Sequence, residues 1–292
     1  MRNINFPSIS KILIIILLFS NSDLFSGLNL PQSSANILIK GKNHQQLKKY
    51  FEPIEDGIPS IDTAVEKLLI KLFPKSFDEG CKEMIATWGK EAKGTASKVV
   101  RVVFMKNHSK NLQQVFLALT CYSSASAYGD KFYDERLALL TIDSTSSSLV
   151  TLPHGKPCDT CSDLSRIGMN EEWEIGRKHA VSILFSTSTR NPCCEGDYLK
   201  EEVIEKYFLF DPPNVKDILT IVKRRSERFH RDNAIDSVVV YETNSNINKD
   251  ANGSILKIDV DYSLIVNNAP VNQGVMWYTW DKKSKKFESN RH

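Results

Sequence analysis

The sequence has almost no excess charge of either sign. Its 38 lysines and arginines face 35 acids, a formal net of +3 over 292 residues. Such a balance gives no general pull toward nucleic acid or an anionic membrane, so that kind of affinity would need a local patch. The HExxH pattern is missing, no serine sits in a nucleophile elbow, and no glycine-rich loop follows a strand. The sequence signatures of zinc proteases, α/β-hydrolases and dinucleotide or P-loop binders are therefore missing too. The six histidines, at 44, 108, 154, 179, 230 and 292, are dispersed, and no two stand at metal spacing. A Ser–His–Asp arrangement assembled in space stays open, because triads do not follow sequence order. Apolar residues make up 41% and charged residues 25%, which excludes wholesale disorder, collagen and coiled coil.

Long apolar runs are also scarce. The outstanding one is Ile12–Phe19, preceded by Arg2 and Lys11 and followed by the small residues Ser20-Asn21-Ser22. This pattern predicts an export signal over residues 1–22. The run is shorter than the roughly 20 residues a membrane-spanning helix needs. An uncleaved anchor is the alternative. No cysteine follows the run, which argues against a lipoprotein anchor, and no later segment reads as a span. Residues 1–22 contain two bases and no acid, so the remaining chain is near neutral. The expected location is secreted or periplasmic.

Six cysteines are present: Cys81, Cys121, Cys158, Cys161, Cys193 and Cys194. An even count in an exported chain predicts structural disulfides, with the pairing undetermined by sequence. Adjacent Cys193 and Cys194 are expected to reach different partners. Their Cα atoms are held about 3.8 Å apart by a trans peptide, against about 5.5 Å in a disulfide. Two alternatives compete. Cys158-Asp159-Thr160-Cys161 has thiol–disulfide redox spacing, but the loop Pro153–Pro157 precedes it where a redox site needs a strand and a helix N-terminus. Cys158, Cys161, Cys193 and Cys194 could ligate zinc, although the second pair lacks knuckle spacing.

Along the chain, residues 23–58 read as an irregular lead-in and 59–94 as a helical element. Val65, Leu68, Leu69 and Leu72 recur at helical spacing, Ser60 or Asp62 can cap, and Pro74 stops the helix. A second helical pattern runs through Phe77, Cys81, Ile85 and Trp88. From residue 95 to 292 the period changes to that of a β-rich domain. Val99–Phe104 and Val115–Leu119 read as buried strands. Residues 256–266 alternate apolar and polar, with Val238–Tyr241 as the expected partner strand and Asn252-Gly253 as a turn. Residues 215–222 fit either a strand or a helix capped by Asn214. An internal echo is visible. Leu139–Asp143, Tyr207–Asp211 and Trp277–Asp281 are apolar strands ending in aspartate, 68 and then 70 positions apart. Each precedes a polar turn and a shorter strand. The expected fold is mainly β (α+β overall). Repeated antiparallel three-strand units form a propeller-like or sandwich domain behind a short helical N-terminal element.

Three constellations could carry chemistry. Asn248, Asp250, Asn252 and Asp259 fall at calcium-loop spacing, with Gly253 at the sixth position, although a hairpin tip explains the same residues. Lys223, Arg224, Arg225, Arg228 and Arg231 form a basic cluster that could grip a polyanion or be a solvated face. The acid pairs Asp134-Glu135 and Glu201-Glu202 should point to opposite faces of their strands. Asn107-His108-Ser109 and Asn252-Gly253-Ser254 fit the glycosylation triplet. The leading expectation is a noncatalytic, disulfide-stabilised binding or structural protein of the cell envelope or extracellular space. Its partner would be a glycan, an envelope component or another protein, and no cofactor is implied beyond calcium. An exported hydrolase using Asp130, Glu135, His154, His179 or Asp197 is the alternative. A redox protein using Cys158 and Cys161 is the second.

Overall fold

The β-branched and aromatic runs of the chain become long strands. A computed structural model describes residues 38–52, 61–77, 96–123, 132–152, 162–175, 178–191, 197–212, 214–231, 234–251 and 254–290, all within the unit Gln32–His292. The elements, in order, are β1 (Leu38–Lys40), α1 (Gly41–Tyr50), α2 (Thr63–Leu72), β2 (Ala96–Ser109), β3 (Leu112–Ser123), β4 (Phe132–Ile142) and β5 (Ser146–Thr151). There follow β6 (Ser162–Ile175), β7 (Lys178–Asn191), β8 (Asp197–Asp211), β9 (Asn214–Arg231), β10 (Ala234–Lys249), β11 (Ile255–Val266), β12 (Ala269–Asp281) and β13 (Lys286–Asn290). The molecule is mainly β, with antiparallel neighbours almost throughout.

Among the described residues, 13 strands form two antiparallel arrays. One comprises β2 to β5, with β1 paired on β5. The other runs β6 to β13 as successive neighbours. A single parallel pairing, Tyr133 with Leu164, connects them. Side chains extend that sparse junction. The Glu135 carboxylate of β4 accepts the Ile167 backbone N–H at 2.7 Å, and Arg101 of β2 donates to the Ile167 carbonyl oxygen. Arg101 also forks onto Glu135 at 2.9 and 3.2 Å, and the Thr120 hydroxyl donates to the same carboxylate at 3.2 Å. These groups replace ladder bonds where the strands diverge.

Period-two burial builds three apolar layers. In β3, Val115, Leu117 and Leu119 pack with Leu47 and Phe51 at α1 and with Val65 and Leu69 of α2. The alternate residues Phe116 and Ala118 pack with Val181 and Ile183 of β7 and with Phe208 and Phe210 of β8. The other face of β8, Tyr207 and Leu209, packs with Trp173, Ile258, Val260 and Phe287. Strands buried on both faces read as continuous apolar runs, which explains Val115–Leu119 and Tyr207–Phe210.

Asp62 caps α2, its carboxylate accepting the N–H groups of Ala64 and Val65 at 2.9 and 2.8 Å. Residues 215–222 are strand, held between β8 and β10 by both neighbours. Helix α1 falls inside the expected irregular lead-in. Its sequence is mostly polar, and only His44 and Leu47 are buried along it, so no apolar period announces it. Tertiary contacts seat it instead. His44 Nδ1 hydrogen-bonds Ser147 Oγ at 2.9 Å, and Gln113 Nε2 donates to the Phe51 carbonyl at 2.7 Å. The expected pairing of Val238–Tyr241 with residues 256–266 is present and continues to Lys249. The β11–β12 turn is Asn267-Asn268, with φ of +51° and +64°. Two left-handed residues match the right-handed twist of the flanking strands.

Candidate functional site

The second array carries charge on a face that its lower half fills with apolar side chains. On β8 the same face presents Val203, Glu205, Tyr207 and Leu209 in turn. Glu205 is only 2% exposed. Asn170, beside the β6 irregularity between Met169 and Glu171, donates to Glu205 at 2.8 Å. Lys223 of β9 approaches Glu205 to 3.7 Å and donates to the Ser245 hydroxyl of β10 at 2.7 Å. A buried carboxylate persists when it is paired and hydrogen-bonded, and this one has both.

Tyr207 is fully buried beneath this group. Burial, with Glu205 beside it, pushes its phenol well above the ordinary value. Its ring stacks on Trp173 at 4.9 Å, and the Trp173 indole N–H donates to Glu171 at 2.9 Å. Across the β7–β8 ladder, Ser182 pairs with Tyr207; its buried hydroxyl has no protein partner among the described residues.

Farther along β9, Arg225 forks onto Glu202, with Nε at 2.6 Å from the carboxylate. Tyr241 pairs with Arg225 across β9–β10, and its ring stacks on Tyr262 of β11 at 6.2 Å. Both rings, like Thr243 and Ser245, are half-buried, whereas their neighbours Glu242 and Asn244 are exposed. Gly274 of β12 lies under Tyr262. A Cβ there would come within 2.7 Å of the phenol oxygen, so the glycine makes room for the ring. On β9 to β11 the face runs from aliphatic, through the ion pair of Glu205, to a half-exposed tyrosine stack, whereas Glu202, which alternates with Glu205 on β8, meets Arg225 beyond the β9 irregularity at Val203/Ile204.

The structure disperses the basic cluster that the sequence gathers. Lys223 and Arg225 face this site, while Arg224 pairs with Glu242 at 3.4 Å. Arg228 belongs to the same strand, and the Arg231 side chain lies outside the described residues. Glu201 and Glu202 do diverge, the first accepting from the Ser226 hydroxyl at 3.1 Å and the second pairing with Arg225. Of the calcium candidates, Asp259 accepts from Asn248 at 2.7 Å and pairs with Lys257 at 2.5 Å. Lys257 holds the Asp259 carboxyl below its ordinary value. Asp250 accepts the Ser254 N–H at 2.9 Å, and Asn252 lies outside the described residues. No cluster of three or more metal-ligating side chains occurs among the described residues.

Of the hydrolase candidates, Glu135 is engaged by Arg101, Thr120 and Ile167 at the junction of the arrays. His179 is inserted among aromatics, parallel to Phe104 at 5.7 Å and 5.2 Å from Phe210, which also receives His108 at 5.3 Å. Burial, then Lys106 and His108, lower the His179 pKa to about 4. Asp130 and His154 lie outside the described residues, as does the side chain of Asp197. So do Cys81, Cys158, Cys161, Cys193 and Cys194. Cys121 is buried, with Sγ 3.8 Å from the carbonyl oxygen of Phe77, four residues before Cys81.

Sequence reading missed Glu205, Tyr207, Tyr241 and Tyr262. A signal existed for the first: a lone acid in the alternating row Val203, Tyr207, Leu209. The tyrosine pair had none, because it is assembled across β10 and β11. Neither a family model, a curated protein nor a solved structure matches the chain.

Proposed function

We propose that the protein is an exported, noncatalytic binding protein, and that the polar end of the second array takes a glycan. The observation that carries this reading is the half-exposed Tyr241–Tyr262 stack beside the Arg225–Glu202 fork and the Lys223–Ser245–Glu205 group. Aromatic rings offer an apolar platform for the C–H face of a sugar. Forked and paired polar groups offer donors and acceptors of fixed direction to its hydroxyls. The acids of the site are held by cations, which suits recognition better than proton transfer. The hydrolase alternative finds its two described candidates, Glu135 and His179, in separate surroundings.

Export through residues 1–22 belongs to the same reading, as does a disulfide framework. Within that framework the proximity of Cys121 to Phe77 supports a Cys81–Cys121 pair. The facing arrays favour a sandwich-like arrangement of the strand–aspartate–turn units over a closed propeller. Calcium, at the β10–β11 tip, would be an accessory.

The experiment is an array of neutral and acidic oligosaccharides probed with the intact chain and with Tyr262→Ala. The expected result is selective retention of one glycan class, lost in the variant. Absence of binding across the array, or binding indifferent to Tyr262, would overturn the proposal.

A further inference from the structure

At the opposite, apolar end of the same array lies a second concavity that the glycan reading does not use. It has a volume of about 370 Å³ and is walled by Ile175, Leu209, Ile255 and Trp280. Its cationic side is crowded. Asp211, the last residue of β8, is approached by Lys178, by Lys216 at 3.2 Å and by Lys285 at 3.5 Å. Three ammonium groups on one carboxylate leave two positive charges uncompensated at that point. Lys282, from the β12–β13 turn, lines the same cavity and adds another. The lysines hold the Asp211 carboxyl far below its usual range, Lys178 first and Lys216 next. Asp250 also lines the cavity; its carboxylate accepts the Ser254 N–H and keeps its negative charge, so the lining holds three lysines against one acid.

One lysine is held there against its backbone preference. Lys285 has φ of +53°, in the left-handed region where glycine or asparagine is the ordinary choice. Its N–H closes the turn onto the Asp281 carbonyl at 2.9 Å, and its ammonium group is directed to Asp211. The left-handed residue closes the β12–β13 turn and at the same time carries its ammonium group to the cation cluster.

We propose that this cavity binds a small dianion of the phosphate type with an attached flat apolar body. The anion would neutralise Lys178, Lys282 and Lys285, and the apolar body would lie against Trp280 and Leu209. Asp211 serves as the resident counter-ion, holding the lysines together when the cavity is empty and competing with the guest. That competition gives an unusual sign: removal of an acid strengthens binding.

Isothermal titration of the full-length chain with phenylphosphonate tests the proposal, with inorganic phosphate and benzyl alcohol as partial ligands. Phenylphosphonate should bind more tightly than inorganic phosphate, and benzyl alcohol should give no heat. Lys178→Gln should weaken binding by about tenfold, the scale of one charge-assisted contact. Lys285→Gly should do the same while keeping the thermal midpoint, because glycine accepts the left-handed backbone. Asp211→Asn should tighten binding. Absence of phenylphosphonate binding, or binding that Lys178→Gln and Lys285→Gly leave unchanged, would overturn the proposal. Either result leaves the glycan reading standing, since Tyr262 is not part of this cavity.

Discussion

The two arrays solve the same folding problem differently. The first is closed on both faces. Helices cover one side through Leu47, Phe51, Val65 and Leu69, and β7 and β8 cover the other against Phe116. Its buried polar groups, Gln113, His44 and Glu135, tie one element to another. The second array is apolar over part of one face and then changes chemistry, at Glu205, within a single strand. There the buried polar groups sit between a packed core and a half-exposed aromatic pair. Charge links elements in both arrays, but in the second the linked group costs desolvation next to half-exposed tyrosines.

The comparison can be broken by mutation. The largest effect is expected in the closed array. Phe116→Ala removes a fully buried ring between two sheets and should cost about 3–5 kcal/mol in urea unfolding. A loss under about 1 kcal/mol would mean that the arrays do not pack on one another there. Next is Lys223→Met, which leaves Glu205 buried with the neutral groups Asn170 and Tyr207 and no cation. It should cost about 3 kcal/mol, the scale for removing one partner of a buried pair.

A smaller, pH-dependent effect is expected at His179. Burial lowers its folded pKa from 6.5 to about 4, so the folded state holds the ring neutral where the unfolded chain is protonated. Folding stability is unaffected at neutral pH and falls as pH drops below 6.5, with the loss complete near pH 4. In His179→Phe this part of the acid-limb decline should vanish, read as thermal midpoints between pH 7 and pH 4. The smallest effect is expected at Gly274→Ala. The methyl would displace Tyr262, costing about 1 kcal/mol and changing tyrosine fluorescence more than stability.

Legibility in the sequence followed the same division. Residues 256–266 could be read because one face is wet, so the period-two pattern survives. The α2 cap could be read because Asp62 acts within one turn. Helix α1 could not, since its two buried residues are fixed by Ser147 and by sheet packing far along the chain. For residues 215–222 apolar spacing fits both periods, and pairing with β8 and β10 decides. Adjacency in the basic run does not make one patch: consecutive residues on a strand face opposite ways, so Arg224 and Arg225 meet different acids. The site itself is assembled from β6, β8, β9, β10 and β11, and only the misplaced acid Glu205 left a trace in one strand.

The central claim is that the Glu205–Lys223 pair serves a ligand and not the fold. The direct test is the double variant Glu205→Leu with Lys223→Met, measured for thermal midpoint and for oligosaccharide binding in parallel. Replacing a buried ion pair by apolar residues of similar size is commonly neutral or stabilising. The account predicts a midpoint equal to or above that of the parent, with glycan binding abolished. A double variant as unstable as Lys223→Met alone, or one that still binds, would contradict it.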